Sequence, residues 1–112
     1  MHNLSQFYQK LYLFGKKLPK RDRFGLHMKI EEVCTETFEL AITASFEEKS
    51  EKTKTIKSLR IKLEVLKRMI RNSFELKIIN EEKYIEFFEN LEEISKMTNG
   101  WIKYLKQQEG SV

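Results

Sequence analysis

Apolar residues recur every three or four positions along four stretches of this chain, the spacing that buries one face of an α-helix. In the clearest stretch, residues 53–79, the apolar stripe is Ile56, Leu59, Leu63, Leu66, Ile70 and Phe74. A series of Lys and Arg residues runs through the same stretch, a quarter to a half turn away from the stripe. The two patterns predict one long helix, with one face in the core and a strongly cationic face beside it.

Two helices are predicted before this stretch. The first covers residues 3–17 and ends at Leu18-Pro19, because proline disfavours helical geometry in the residue before it and has no backbone N–H. The second covers residues 23–46, and Asp22 is its predicted N-cap.

Residues 47–52 contain no apolar side chain and are predicted to form a loop. After the long basic helix, Asn80 is a predicted N-cap, and the fourth helix continues from there to about Gln107. Its apolar period stays in phase through Gly100, where the missing side chain is expected to allow close packing. Residues 108–112 are predicted to be a disordered tail.

The fold class follows from these elements. A chain of 112 residues with four helices and short turns predicts an all-α, up-down-up-down four-helix bundle that forms one domain over residues 1–107. No stretch alternates in the way that a β-strand requires.

The second predicted helix carries two apolar stripes instead of one. The first is Leu26, Ile30, Val33, Thr37, Leu40 and Ala44, and the other is Phe24, Met28, Phe38, Ile42 and Phe46. Either this helix is central in the bundle, or its second face is buried against another copy of the chain. We expect both to contribute.

Several classes of function have no support in the sequence. No apolar run reaches the roughly 18 to 20 residues of a membrane span, and no secretory leader is evident, so a cytoplasmic protein without a membrane partner is expected. Cys34 is the only cysteine, and no His, Cys or Glu cluster has metal-ligand spacing. Phosphate-binding loops and nucleophile motifs are also missing. We therefore expect no enzymatic activity and no cofactor.

Charge is sorted into blocks along the chain. Residues 10–29 carry a formal charge of +6, residues 30–48 carry −6, residues 49–77 carry +7 and residues 78–99 carry −4. Scattered surface charge would not sort in this way, so basic and acidic elements are expected on different sides of the bundle.

The basic residues of the third predicted helix are the best candidate site: Lys57, Arg60, Lys67, Arg68 and Arg71. On a helix they fall within about 100 to 140 degrees of one another and span roughly 21 Å, enough to follow several phosphates of a nucleic acid. A second basic group lies in the turn after the first helix and consists of Lys16, Lys17, Lys20, Arg21 and Arg23. Two readings of these groups stay open, which are a nucleic-acid contact and an ordinary solvated or protein-binding face.

A family resemblance rests on four segments: residues 14–26 (FGKKLPKRDRFGL), the following Ile30-Glu31-Glu32, residues 66–71 (LKRMIR), and Gly100-Trp101-Ile102. In this combination the chain resembles, over nearly its whole length, the accessory variability proteins of diversity-generating retroelements.

The resemblance implies a four-helix bundle that assembles into a ring-like homopentamer with a positive surface. Such a protein binds the retroelement's reverse transcriptase and its RNA template or cDNA during mutagenic retrohoming, without catalysis of its own. It also implies that Lys67 and Arg71 occupy positions that engage the reverse transcriptase, although Lys67 stands where arginine is frequent and cannot make a bidentate contact. The alternative is the related bundle family encoded in intervening sequences of ribosomal RNA genes, acting through protein-protein contacts only.

Overall fold

The computed structural model describes residues 2–110, and these residues are all-α, with no strand. The helices are α1 (His2–Gly15), α2 (Lys20–Arg23), α3 (Leu26–Phe46), α4 (Lys49–Glu75) and α5 (Glu81–Gly110). Four of them are long, and α2 is a single turn. The all-α fold with four long helices, predicted from the apolar periodicity, is confirmed.

Each long helix packs against two others, in the circular order α1, α3, α4, α5. All the neighbouring helices are antiparallel, because rising residue numbers on one meet falling numbers on the next. Between α1 and α5, for example, Asn3 contacts Met97, whereas Lys10 contacts Asn90. The result is an up-down-up-down bundle that measures 54 × 22 × 19 Å.

The core is formed by the predicted stripes. On α4, the first five members of the stripe are buried and Phe74 is half-buried. All of them except Ile56 share one cluster with Leu11 of α1, Ile30 of α3 and Leu91 of α5, which are fully buried. A smaller cluster at the other end joins Ala44 to Ile56, Ile102 and Leu105.

The two apolar faces of α3 have different environments. The first stripe faces the core, where Ile30, Thr37 and Ala44 are buried. The second stripe is left largely uncovered, since Phe24, Met28, Ile42 and Phe46 are exposed and only Phe38 is half-buried. Phe46 is the extreme case, with 86% of its surface exposed. A central position in the bundle therefore does not account for the second stripe.

The turn between α1 and α3 differs from the prediction of one helix over residues 23–46. Asp22 is not an N-cap but lies inside α2, where its backbone N–H bonds to the Pro19 carbonyl. The helical conformation is interrupted at Gly25, the N-cap residue of α3. A Cβ at Gly25 would lie 2.6 Å from the Arg21 carbonyl oxygen, so only glycine permits this close approach.

The bounds of α4 are shifted by four residues from the predicted 53–79. The helix begins at Lys49, within the predicted loop, because Lys and Glu favour helices and Glu51 lies at the positive end of the helix dipole. It ends at Glu75, and Lys77 then takes a left-handed conformation with φ of 63°. The backbone N–H of Ile78 bonds to the Ser73 carbonyl (2.9 Å), which closes the helix end in a Schellman turn.

At the start of α5, Asn80 caps the helix as predicted, because its Oδ1 accepts a hydrogen bond from the Lys83 backbone N–H (2.8 Å). The helix is continuous through Gly100, as predicted. The prediction of close packing at Gly100 was wrong, since nothing lies within 4 Å of a Cβ built on it. The predicted helix end near Gln107 was too early, because α5 continues to Gly110. The remainder of the predicted tail, residues 111 and 112, lies outside the described residues.

No helix in residues 2–110 has the length and apolarity of a membrane span.

Candidate nucleic-acid interface

The basic side chains predicted as a site on the third helix all lie on α4, and we call them the α4 ridge: Lys57, Arg60, Lys67, Arg68 and Arg71. Their position follows from the register of the buried stripe, since the core face of α4 is fixed by Leu59, Leu63 and Leu66. The ridge occupies the neighbouring flank, which faces α5, as the contact between Lys67 and Glu92 shows. The structure therefore brings the five residues together along one side of a single helix.

Three members of the α4 ridge are available to a partner. Lys57, Arg60 and Arg68 are exposed, and among residues 2–108 none of them has a side-chain ion pair or hydrogen bond. They span about 17 Å along the helix axis. Because desolvating them breaks no internal contact, their charges are the ones best placed to meet a polyanion.

The side chain of Lys67 is mostly buried between α4 and α5. Only 12% of its side chain is exposed, and its Nζ lies 2.9 Å from Glu92 of α5 and 3.1 Å from Glu64. Partial burial lowers the pKa of Lys67, but the hydrogen bonds to Glu92 and Glu64 outweigh it, so the pKa is raised above its ordinary value. The same contact with Lys67 lowers the pKa of Glu92. Lys67 thus ties α4 to α5 as a charged hydrogen-bond donor.

Arg71 is also engaged within the chain. Its Nε donates to Glu75 (2.8 Å), and its guanidinium lies 5.6 Å from the Phe74 ring centroid and 5.5 Å from that of Tyr84. The two rings are stacked with centroids 4.8 Å apart. Arg71 remains half-exposed, so a partner can reach its outer edge, but its orientation is set by this aromatic pair.

The basic turn is separate from the α4 ridge. Lys20, Arg21 and Arg23 belong to α2, which packs against α3. Lys20 and Arg21 are exposed, whereas Arg23 lies over the Phe24 ring at 5.3 Å and lines a cleft of about 290 Å³ between α1 and α3. The two predicted basic groups therefore form two surfaces.

Sequence reasoning missed two lysines of α5. Glu92, Lys96 and Lys103 share one face of α5, since residues four and eleven positions apart nearly coincide around a helix. This is the face whose Glu92 contacts Lys67 on α4. Lys96 and Lys103 are exposed and extend the positive surface beside the α4 ridge. Their spacing was visible in the sequence, but Lys96 lies within the acidic block of residues 78–99 and Lys103 lies outside the four charge blocks.

Cys34 and His27, whose residue types are common in catalysis and metal binding, are both buried in the core of the bundle. Cys34 is fully buried, and burial together with the nearby Glu31 raises its pKa to about 12, which removes the thiolate needed for reaction. His27 is buried, and its Nε2 lies 2.6 Å from the Leu11 carbonyl oxygen. Because a carbonyl oxygen can only accept, Nε2 carries the hydrogen and donates this hydrogen bond to α1. Among the described residues, no group of three or more His, Cys, Asp or Glu is placed to hold a metal ion.

Comparison with known proteins gives one match. A family model described as bAvd-like matches residues 1–105, which is almost the whole chain. Comparisons with curated proteins and with solved structures gave no match.

Proposed function

Since the chain belongs to the bAvd-like family, the accessory variability determinants of diversity-generating retroelements, we propose that it binds nucleic acid and the retroelement's reverse transcriptase through the α4 ridge. The nucleic acid is the RNA template or the cDNA made from it. The chain holds these partners together during mutagenic retrohoming and performs no catalysis itself. This role places it in the cytoplasm, where polymerase and template meet.

The observation that carries the proposal is the row of exposed cations at Lys57, Arg60 and Arg68, none of which has an ion pair within residues 2–108. They span about 17 Å, which matches about five phosphates of one strand at 3.4 Å per nucleotide along a helix axis. Contacts of this kind supply affinity and position without reading the base sequence. This is the behaviour required of a protein that must hold a template whose sequence is being varied.

Self-association is part of the proposal. The second stripe of α3 is largely uncovered, and the outer face of α4 adds Ile61 and Val65, followed by Leu76 directly after the helix, all exposed. Exposed apolar surface of this extent is typical of protein-protein contacts. We propose that these surfaces join copies of the chain into a ring, a homopentamer as the family resemblance implies, in which several α4 ridges are pooled into one positive surface.

The test is a triple variant, Lys57→Gln, Arg60→Gln and Arg68→Gln, which removes three charges and keeps good helix formers. Lys29→Gln is the matched control, because Lys29 is an exposed lysine of α3 whose only ion pair among residues 2–108 is with Glu32, one turn away on α3. Fluorescence anisotropy with labelled single-stranded RNA measures affinity, and capture of the reverse transcriptase of a diversity-generating retroelement measures the second contact. We expect the triple variant to lose at least tenfold in RNA affinity and the control to lose less than about twofold.

Charge reversal at Lys67 would be a poor test, because it would place a third carboxylate beside Glu64 and Glu92 and so destabilise the bundle. Unchanged RNA affinity in the folded triple variant would refute the α4 ridge as the RNA contact. If that variant also still captured the reverse transcriptase, the bundle would act through other protein surfaces, as the ribosomal intervening-sequence alternative predicts.

A further inference from the structure

A second cationic feature lies at the end of the bundle, where the turn between α4 and α5 meets the last turn of α1. The two segments enclose an open cleft of about 520 Å³, lined by Phe14, Phe74, Lys77, Asn80 and Lys83 together with Ile78 and Ile79. We call it the turn cleft. Its volume is within the range of small-molecule sites, and its walls combine two aromatic rings with two ammonium groups.

Lys77 occupies an unusual backbone position on the rim of the turn cleft. It is the second residue after the end of α4, its φ is 63°, and its N–H bonds to the Phe74 carbonyl (2.9 Å). Glycine is the usual residue here, because a left-handed conformation strains an L-residue. The side chain of Lys77 is exposed and makes no ion pair within residues 2–108. A residue strained in this way is a candidate for function, and its exposed ammonium group is accessible to an external anion.

The second ammonium group of the turn cleft belongs to Lys83, and contacts within the chain hold it in position. Its Nζ lies 5.5 Å from the Phe14 ring centroid and 5.6 Å from that of Phe87, and it bonds to Glu86 at 2.8 Å. These contacts hold the ammonium beside the Phe14 wall of the turn cleft. Glu86 neutralises part of this charge, so Lys77 supplies the uncompensated one.

The turn cleft adjoins the α4 ridge through Phe74. One face of the cleft is formed by Phe74, whose ring stacks on Tyr84 and lies 5.6 Å from the guanidinium of Arg71. Arg71 is the last member of the α4 ridge. A strand whose phosphates follow the ridge therefore reaches the turn cleft at the end of α4, passing Glu75, whose carboxylate accepts a hydrogen bond from Arg71 Nε.

We infer that the turn cleft holds one unpaired nucleotide of a single strand, with the phosphate at Lys77 and Lys83 and the base against Phe14 and Phe74. The inference rests on the proposed function and names the form of nucleic acid that the same surface prefers. Aromatic rings beside cations are the usual means of binding single strands, because every base has a face that stacks. A base within a duplex is already stacked and paired, so it cannot enter the cleft.

The test compares an RNA strand of about 12 nucleotides with the blunt duplex of the same sequence, both labelled and measured by anisotropy at one salt concentration. The variants are Lys77→Gly, which suits the left-handed backbone, and Lys77→Gly combined with Lys83→Gln. Lys29→Gln is again the control, because Lys29 lies in the first turns of α3 and does not line the turn cleft. Thermal unfolding confirms that each variant is folded.

We expect the wild-type chain to bind the single strand about tenfold more tightly than the duplex, because an unpaired base can stack in the cleft and a paired base cannot. The double variant loses this preference, because without the two ammonium groups at the phosphate the nucleotide is no longer held in the cleft with its base against Phe14 and Phe74. Lys77→Gly loses part of it, and both variants keep the duplex affinity of the control to within about twofold.

Failure of this inference differs from failure of the proposed function. If the wild-type chain binds both forms equally, or if the double variant keeps the single-strand preference, the turn cleft is not the site, while the α4 ridge still stands. If the wild-type chain binds neither form at low salt, both proposals fall.

Discussion

Replacing Lys77 by glycine should make the protein more stable, although it removes a side chain. Lys77 has a φ of 63°, and a left-handed conformation costs an L-residue about 1 to 2 kcal/mol relative to glycine. Glycine in turn loses about 0.4 to 1 kcal/mol through the greater freedom of its unfolded chain. No internal ion pair of Lys77 is lost within residues 2–108. The net expectation is a stabilisation of about 0.5 to 1 kcal/mol.

The matched control is the same substitution in the middle of α4. Lys57 is exposed and helical, so Lys57→Gly should destabilise the protein by about 1 kcal/mol. Urea unfolding followed by far-ultraviolet circular dichroism measures both variants, and 1 kcal/mol corresponds to a midpoint shift of about 0.5 M. All variants are compared at one protein concentration, because self-association would raise every midpoint. A lower midpoint for Lys77→Gly would refute the left-handed turn at the end of α4.

Three further predictions concern the interior and the interhelical contacts. Gly15→Ala should destabilise the bundle by about 1 to 3 kcal/mol, since the new Cβ would lie 2.8 Å from a buried imidazole ring, whereas Gly100→Ala, with open space around it, should stabilise α5 by up to about 1 kcal/mol in the same urea assay. Cys34, with a pKa of about 12, should react with a thiol reagent at about pH 8 roughly a thousandfold more slowly in the native protein than in denaturant, and equal rates would contradict its burial. The hydrogen bond from Lys67 lowers the pKa of Glu92, so this pair contributes stability above the ordinary glutamate pKa of about 4.3 that is lost as the pH falls through the lowered value. Lys67→Met should therefore show a smaller drop in melting temperature between about pH 7 and pH 3 than the wild type, and an identical drop would exclude the pair as a source of acid sensitivity.

The core of α4 was predictable because one helix determines its own buried face. The spacing of Ile56, Leu59 and Leu63 specifies which side is apolar wherever the other helices lie, and all three are buried. The break at Gly25 was not predictable in the same way. It depends on the approach of the Arg21 carbonyl, which the periodicity of apolar residues does not report.

The sequence predicted which face of α4 carries the basic residues of the candidate site, but not which of these residues are engaged in ion pairs. Spacing alone places Lys57 and Lys67 on one flank of α4. Their difference arises from Glu92, 25 positions after Lys67 and on another helix, which binds Lys67 and leaves Lys57 unpaired within residues 2–108. Helical periodicity carries no information on such a partner. The resemblance to the accessory proteins pointed to Lys67 and Arg71, both of which have an ion pair within the chain, whereas the charges without an ion pair in residues 2–108 are those of their neighbours on the α4 ridge.

The turn cleft was outside the reach of sequence reasoning. It depends on the left-handed backbone of Lys77 and on the meeting of Phe14 and Phe74, which are 60 positions apart. The sequence predicted residues 53–79 as one helix and so placed Lys77 on a helical face. The Schellman turn instead directs the chain toward α1, and this redirection creates the cleft.

The central claim is that Lys57, Arg60 and Arg68 contact phosphates directly, and the salt dependence of RNA binding measures it most directly. Dissociation constants for single-stranded RNA are determined between about 50 and 200 mM salt for the wild type and for the triple glutamine variant. Each lost phosphate contact lowers the slope of log affinity against log salt by about 0.7, so the variant should have a slope shallower by about 2. Parallel slopes for the two proteins would contradict the claim.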